Sequence, residues 1–169
     1  MKTLTADYQA KSTNYLTFEL TQGDESIGRL SYKNWFQFAA SIELADHSTY
    51  QIVPKGFWGS TIELKEADTV LLKFSMNWNG NIVLQTYFNS IEKDYLFKHR
   101  GVFNESFILI DQEETELLVL KPHVKWSNLN YEYKIQSSDR FESLSTKELL
   151  LLISVHCANY YMSIMAGTY

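Results

Sequence analysis

Cysteine is almost missing from this chain, and proline and glycine are scarce. One cysteine, Cys157, excludes an internal disulfide and any zinc site built on cysteines alone. Two prolines and seven glycines in 169 residues exclude a collagen-like or linker-rich protein. An excess of positive charge is lacking too. The formal net charge is −5 and the isoelectric point about 5.4, which argues against a general nucleic-acid binder. Neither GxGxxG nor GxxxxGK followed by Ser or Thr occurs, so nucleotide chemistry has no support. The opening residues, Met1 to Asn14, contain no apolar run of signal-peptide length and no small-residue cleavage site. Prenylation and myristoylation patterns are absent as well. These features lead to the expectation of a cytoplasmic protein.

What is present is a normal supply of core-forming residues, 45% hydrophobic and 15% aromatic, in a length that fits one domain. From Tyr15 to Gln136 the chain reads as short segments of period near two, rich in Ile, Val, Thr, Tyr and Phe. The candidate strands are Tyr15–Leu20, Ser26–Tyr32, Ala40–Leu44, Thr49–Val53, Thr61–Lys65, Val70–Met76, Ile82–Phe88, Asp94–His99, Phe103–Ile110, Glu116–Leu120 and Asn130–Gln136. Turn-like spacers separate them, among them Gln22-Gly23-Asp24, Asp46-His47-Ser48 and Asn77-Trp78-Asn79-Gly80. Such a rhythm is that of an antiparallel meander, and a long meander avoids open edges by closing on itself.

After Gln136 the pattern changes. Ser145-Thr146-Lys147-Glu148 matches a capping box, and Gly167 stands where a helix would stop. The single long apolar run, Leu149 to Ala166, lies between them. Leu149, Leu150, Leu151 and Leu152 alone point in every direction, because successive helical residues turn by about 100°. A helix with no polar face must be surrounded. We therefore expect a mainly β fold: a closed antiparallel barrel of about 11–12 strands around a central C-terminal helix. Residues 1–14 are read as a polar N-terminal arm, and residues 15–169 as a single barrel domain with its helix at 146–166.

The strand run Tyr15–Gln136, the segment Ile27-Gly28-Arg29-Leu30 and the helix Leu149–Ala166 together resemble the tubby C-terminal-like superfamily. That group takes in tubby proteins, LURP-one-related plant proteins and phospholipid scramblases. The resemblance implies a helix threaded through the barrel. It also implies an anionic membrane lipid as ligand, held by basic residues on the barrel wall. The calcium response of the scramblases does not carry over, because no DxDxDG-like loop is present.

Residues that carry chemistry are thinly spread. His156, Cys157 and Asn159 are residue types used by thiol hydrolases. Neighbouring helical residues diverge too far for His156 to serve Cys157 as a base, so both are read as core residues. His47, His99, His123 and His156 show no metal-ligand spacing. The acidic residues Asp24-Glu25, Glu113-Glu114 and Glu142 are read as solvated charge. No catalytic, cofactor or metal residue is assigned. Two spots fit an anion. Lys98-His99-Arg100 is the densest basic run, and Lys55-Gly56-Phe57-Trp58-Gly59 sets a lysine beside aromatics. Lys98, Arg100, Lys55 and Trp58 are therefore the candidate headgroup contacts; the plainer reading is a solvated strand end and a bulged loop.

The expected function is non-enzymatic binding of a membrane lipid headgroup or a protein partner by a cytoplasmic barrel that can sit peripherally at a membrane. One alternative is a tail-anchored protein whose last helix enters the bilayer, at the cost of burying Ser154, His156, Asn159 and Ser163. A small-ligand carrier or barrel enzyme is the other, disfavoured because a helix fills the barrel.

Overall fold

The structure, a computed structural model, describes residues 4–14, 16–34, 38–55, 61–101, 105–125 and 130–166. Its strands follow one another as β1 (Leu4–Asn14), β2 (Thr17–Gln22), β3 (Glu25–Asn34), β4 (Ala39–Leu44), β5 (Thr49–Lys55) and β6 (Thr61–Glu66). They continue as β7 (Thr69–Met76), β8 (Ile82–Thr86), β9 (Lys93–Arg100), β10 (Ser106–Ile110), β11 (Glu116–Lys125) and β12 (Asn130–Ser138). A short helix α1 (Asp139–Glu142) and a long helix α2 (Lys147–Ala166) complete the chain. Each strand pairs antiparallel with its sequence neighbours, and β1 closes the barrel against β12.

Alternation explains the wall. Phe18 and Leu20, Leu30 and Tyr32, Ile62 and Leu64, Leu72 and Phe74, Tyr95 and Phe97, and Tyr133 and Ile135 are all buried on the inner face. Outside, the register sets charges of opposite sign side by side. Glu132 faces Lys11, Lys11 faces Glu19, Glu19 faces Arg29, and Arg29 faces Glu43 across successive strands. A slip of one residue would turn this charged row into the core, so both faces specify the same register.

The helix fills the barrel. Leu149 through Asn159 are buried on every side, in one cluster with the inward residues of the strands. That enclosure leaves this stretch no face for lipid. Among the described residues, no helix is long and apolar enough to cross a membrane. α2 starts close to the expected position, with Leu150 N donating to Thr146 O; Gly167 lies outside the described residues.

The polar arm needs correction. Residues 4–14 form β1, the strand that completes the barrel. Its inward positions are Tyr8, Ala10 and Ser12, so two of its three core residues are small, and the apolar alternation is weak.

Gly28 marks where the wall meets the helix. A Cβ there would lie 2.9 Å from Leu152 Cδ1 and 2.9 Å from the Glu43 carbonyl oxygen. The second contact is backbone and cannot rotate away. We expect Gly28→Ala to lower stability by about 1–3 kcal/mol, the usual cost of overpacking, measured by urea denaturation.

Candidate functional site

Strand alternation divides the Lys98-His99-Arg100 run. His99 points inward and stacks on Tyr161, with ring centroids 5.1 Å apart, while Lys98 and Arg100 share the outer face of β9. Arg100 is already committed: its Nη1 lies 2.7 Å from Glu116 Oε1. That ion pair joins β9 to β11 and so crosses the outer face of β10. Ile108 and Ile110 point outward there yet are buried, together with Val119. The charged pair covers this small apolar patch, and its guanidinium is not free for a ligand.

Lys55 stands exposed at the end of β5, four strands round the wall from β9. It does not converge with Lys98. Trp58, with Gly56, Phe57 and Gly59, lies outside the described residues, as do Trp35-Phe36-Gln37 and Phe103. Lys98 and Arg100 on β9 therefore do not form one site with Lys55.

A different basic site does form. On the outer wall Lys121 of β11 faces Lys134 of β12 directly. Both are exposed, and they line a groove of about 480 Å³ with Asp7, Gln9, Thr21, Gly23 and Gln136. The row from Glu132 to Glu43 alternates in sign; here two like charges oppose each other, an arrangement that costs stability. Among the described residues neither ammonium has a carboxylate or hydrogen-bond partner. Glu132, the nearest carboxylate along β12, accepts a hydrogen bond from Gln9 Nε2 and faces Lys11. Asp7 sits at the rim, opposite Gln136 and one pair removed from the lysines.

No family model, curated protein or solved structure matches this chain. The reading of the site rests on its own geometry.

Two other polar clusters are structural. Glu142 of α1 accepts from Tyr8 Oη at 2.9 Å, from Lys147 Nζ at 2.8 Å and from Ser137 Oγ. It thus ties β1, β12 and α2 together at the closing seam. Partial burial works against its ionisation, but the donors from Lys147, Ser137 and Tyr8 outweigh that and hold its pKa below the ordinary value. Burial, followed by the bond to Glu142, pushes the Tyr8 phenol up to about 12.

The second cluster lies on the barrel axis. Tyr133 Oη donates to Asn159 Oδ1 at 2.7 Å, and Asn159 Nδ2 donates to Tyr32 Oη at 3.1 Å. Tyr32 Oη lies 2.7 Å from His156 Nδ1. The other ring nitrogen, His156 Nε2, is buried without a hydrogen-bond partner among the described residues. Burial keeps this histidine neutral, with a pKa of about 3, and pushes the Cys157 thiol up. A buried thiol of raised pKa is no nucleophile. His156 and Asn159 have strand partners, as expected of core polar residues.

One mouth of the barrel holds a further concavity of about 480 Å³ around the start of α2. Its rim carries Glu25, Asp46, Glu66 and Glu148 and no basic residue, so it repels anions.

Proposed function

We propose that this protein is a non-catalytic binding barrel that holds an anionic group, phosphate or carboxylate, between Lys121 and Lys134. The observation that carries the reading is this unneutralised cross-strand lysine pair in a groove. Two ammonium groups brought together without a counter-ion weaken the fold, and a bound anion relieves that repulsion while gaining charge-assisted hydrogen bonds. The reading also moves the headgroup contacts from Lys98, Arg100, Lys55 and Trp58 to the β11–β12 hairpin. A closed barrel around a C-terminal helix supports the likeness to tubby C-terminal-like proteins, for which an anionic lipid on the barrel wall is the implied ligand.

Titration with inorganic phosphate and with a soluble inositol phosphate, followed by NMR shifts of β11 and β12 amides, tests this. Binding is expected to weaken as salt rises, since the lysines are exposed. Lys134→Glu should weaken it by at least about tenfold, the loss of one charge-assisted contact. The same variant should leave stability unchanged or raise it by a few tenths of a kcal/mol, because the like-charge pair is gone. Binding untouched by Lys134→Glu would remove the groove from the site. No binding of either anion would make a protein-interaction barrel the better reading.

A further inference from the structure

Successive strands of an antiparallel barrel reverse direction, so the connections between them alternate between its two ends. The two ends of this barrel differ sharply in chemistry. At one end lie the β2–β3, β4–β5, β6–β7, β8–β9 and β10–β11 connections, together with the start of α2. These carry Asp24, Asp46, Asp68, Glu92, Asp111, Glu113 and Glu114. Arg140 and Lys147, the cations nearest them on α1 and α2, are each paired to carboxylates. Exposed Ile91 is a lone aliphatic there, next to Glu92.

At the other end lie the β1–β2, β3–β4, β5–β6, β7–β8, β9–β10 and β11–β12 connections. In sequence they hold a single carboxylate, Glu105, and all four tryptophans of the chain. Trp35, Trp58 and Trp126 are outside the described residues and enter only by their place between strand ends. Trp78 is described and fully exposed. It sits on a turn organised by Asn77, whose Oδ1 accepts from Asn79 N at 3.0 Å and Asn81 N at 3.0 Å. Asn77 N donates to Asn81 O at 2.8 Å and Gly80 N to Asn77 O at 3.1 Å, which completes the turn. An indole is therefore held out in water on a preformed support. Lys33 and Lys55 stand exposed near the ends of β3 and β5 on the same rim, four and two strands round from β7. The mouth behind them is plugged by aromatics, with Phe38 and Tyr160 ring centroids 4.8 Å apart.

We propose that this end docks on a lipid bilayer, with Trp78 entering the headgroup–acyl boundary and Lys33 and Lys55 lying at the level of the lipid phosphates. The inference is independent of the Lys121–Lys134 groove, which lies on the wall. Tryptophan beside lysine is the chemistry of a membrane–water interface: the indole has an apolar body and a polar N–H, and the lysine stem keeps its ammonium among phosphates. A net charge of −5 would repel an anionic surface if it were evenly spread. Here the carboxylates collect at the far end, so the molecule carries a dipole that presents its tryptophan end to such a surface.

The test is co-sedimentation of the full chain with phosphatidylcholine vesicles, with and without phosphatidylserine, alongside tryptophan emission and iodide quenching. We expect partitioning that strengthens with phosphatidylserine and weakens with salt, a blue-shifted emission and shielding from iodide. Trp78→Ser should lower partitioning roughly tenfold on both vesicle types, without changing the melting temperature, since the side chain packs against nothing. Lys33→Glu with Lys55→Glu should reduce only the phosphatidylserine-dependent part. Lys121→Glu with Lys134→Glu should leave partitioning to these vesicles intact, so failure of the groove and failure of this surface are read separately. Equal partitioning of Trp78→Ser and wild type, or none on either vesicle, overturns the proposal. Trp78-dependent self-association in the absence of lipid would assign the surface to a second copy instead.

Discussion

Ending the chain at Leu144, which removes α2, is expected to abolish cooperative thermal unfolding and to leave insoluble protein. The reason is geometric. Phe18, Leu30, Tyr32, Ile62, Leu72, Phe74, Phe97, Leu109, Leu120 and Tyr133 all point into the barrel and are buried in one cluster with α2. Without the helix these side chains would face a void that cannot stay dry and cannot collapse while twelve strands remain in register. A milder form of the experiment uses Leu152→Ala. Leu152 is fully buried and its Cδ1 lies against Gly28. The expected loss is about 2–5 kcal/mol, set by how far the surroundings relax, and urea denaturation measures it. A soluble truncated chain with a sharp transition would mean that the wall is stable on its own, and the central role given to the helix would be lost.

Stability should also fall as the solution is made mildly acidic, and His156 should be the cause. An unfolded histidine takes up a proton near pH 6.5, while the buried imidazole resists until about pH 3. Between those values the unfolded state binds more protons, so stability rises with pH and is lost as pH falls. Each pH unit inside this window is worth about 1.4 kcal/mol, which gives a loss of about 2 kcal/mol between pH 7 and pH 5. Glu142 contributes in the same direction, but its lowered pKa places its effect below the ordinary carboxylate range. The interval from pH 7 to pH 5 therefore separates His156 from Glu142. Denaturant unfolding at both pH values reads the difference directly. His156→Gln keeps an acceptor within reach of Tyr32 and removes the titrating group. It should flatten the profile in that interval, whatever it does to absolute stability. An unchanged slope in this variant would assign the acid sensitivity to other groups.

The signals that revealed the fold were local. Period-two alternation in segments such as Ile62-Glu63-Leu64 marks strands with one wet face, and four consecutive leucines mark a helix without one. Closure was expected from the open edges that a long meander would otherwise leave, and a closed barrel then offered the helix a place inside. The strand that was missed, β1, has Ala10 and Ser12 turned inward, because the wall there needs little volume and the pattern fades.

The candidate site was much less visible. β11 was expected to end at Leu120. The strand in fact runs through Pro122 to Lys125, and only then does the hairpin register bring Lys121 opposite Lys134. Counting outward from the 126–129 connection finds the pair only once the strand is carried through Pro122. Conversely, Lys98 and Arg100 looked like a cluster because they are close in sequence, while Glu116, which neutralises Arg100, lies two strands away.

By itself, then, the sequence determined the class of fold, the need of the helix from Leu149 to be surrounded and the exclusion of an internal disulfide. Those properties depend on composition and on periodicities of two and 3.6 residues, which neighbours along the chain already display. The tertiary structure alone decided which charges are neutralised, which remain unpaired and which end of the barrel each connection occupies. Register and closure set those relations between residues far apart in the chain, and no local pattern carries them.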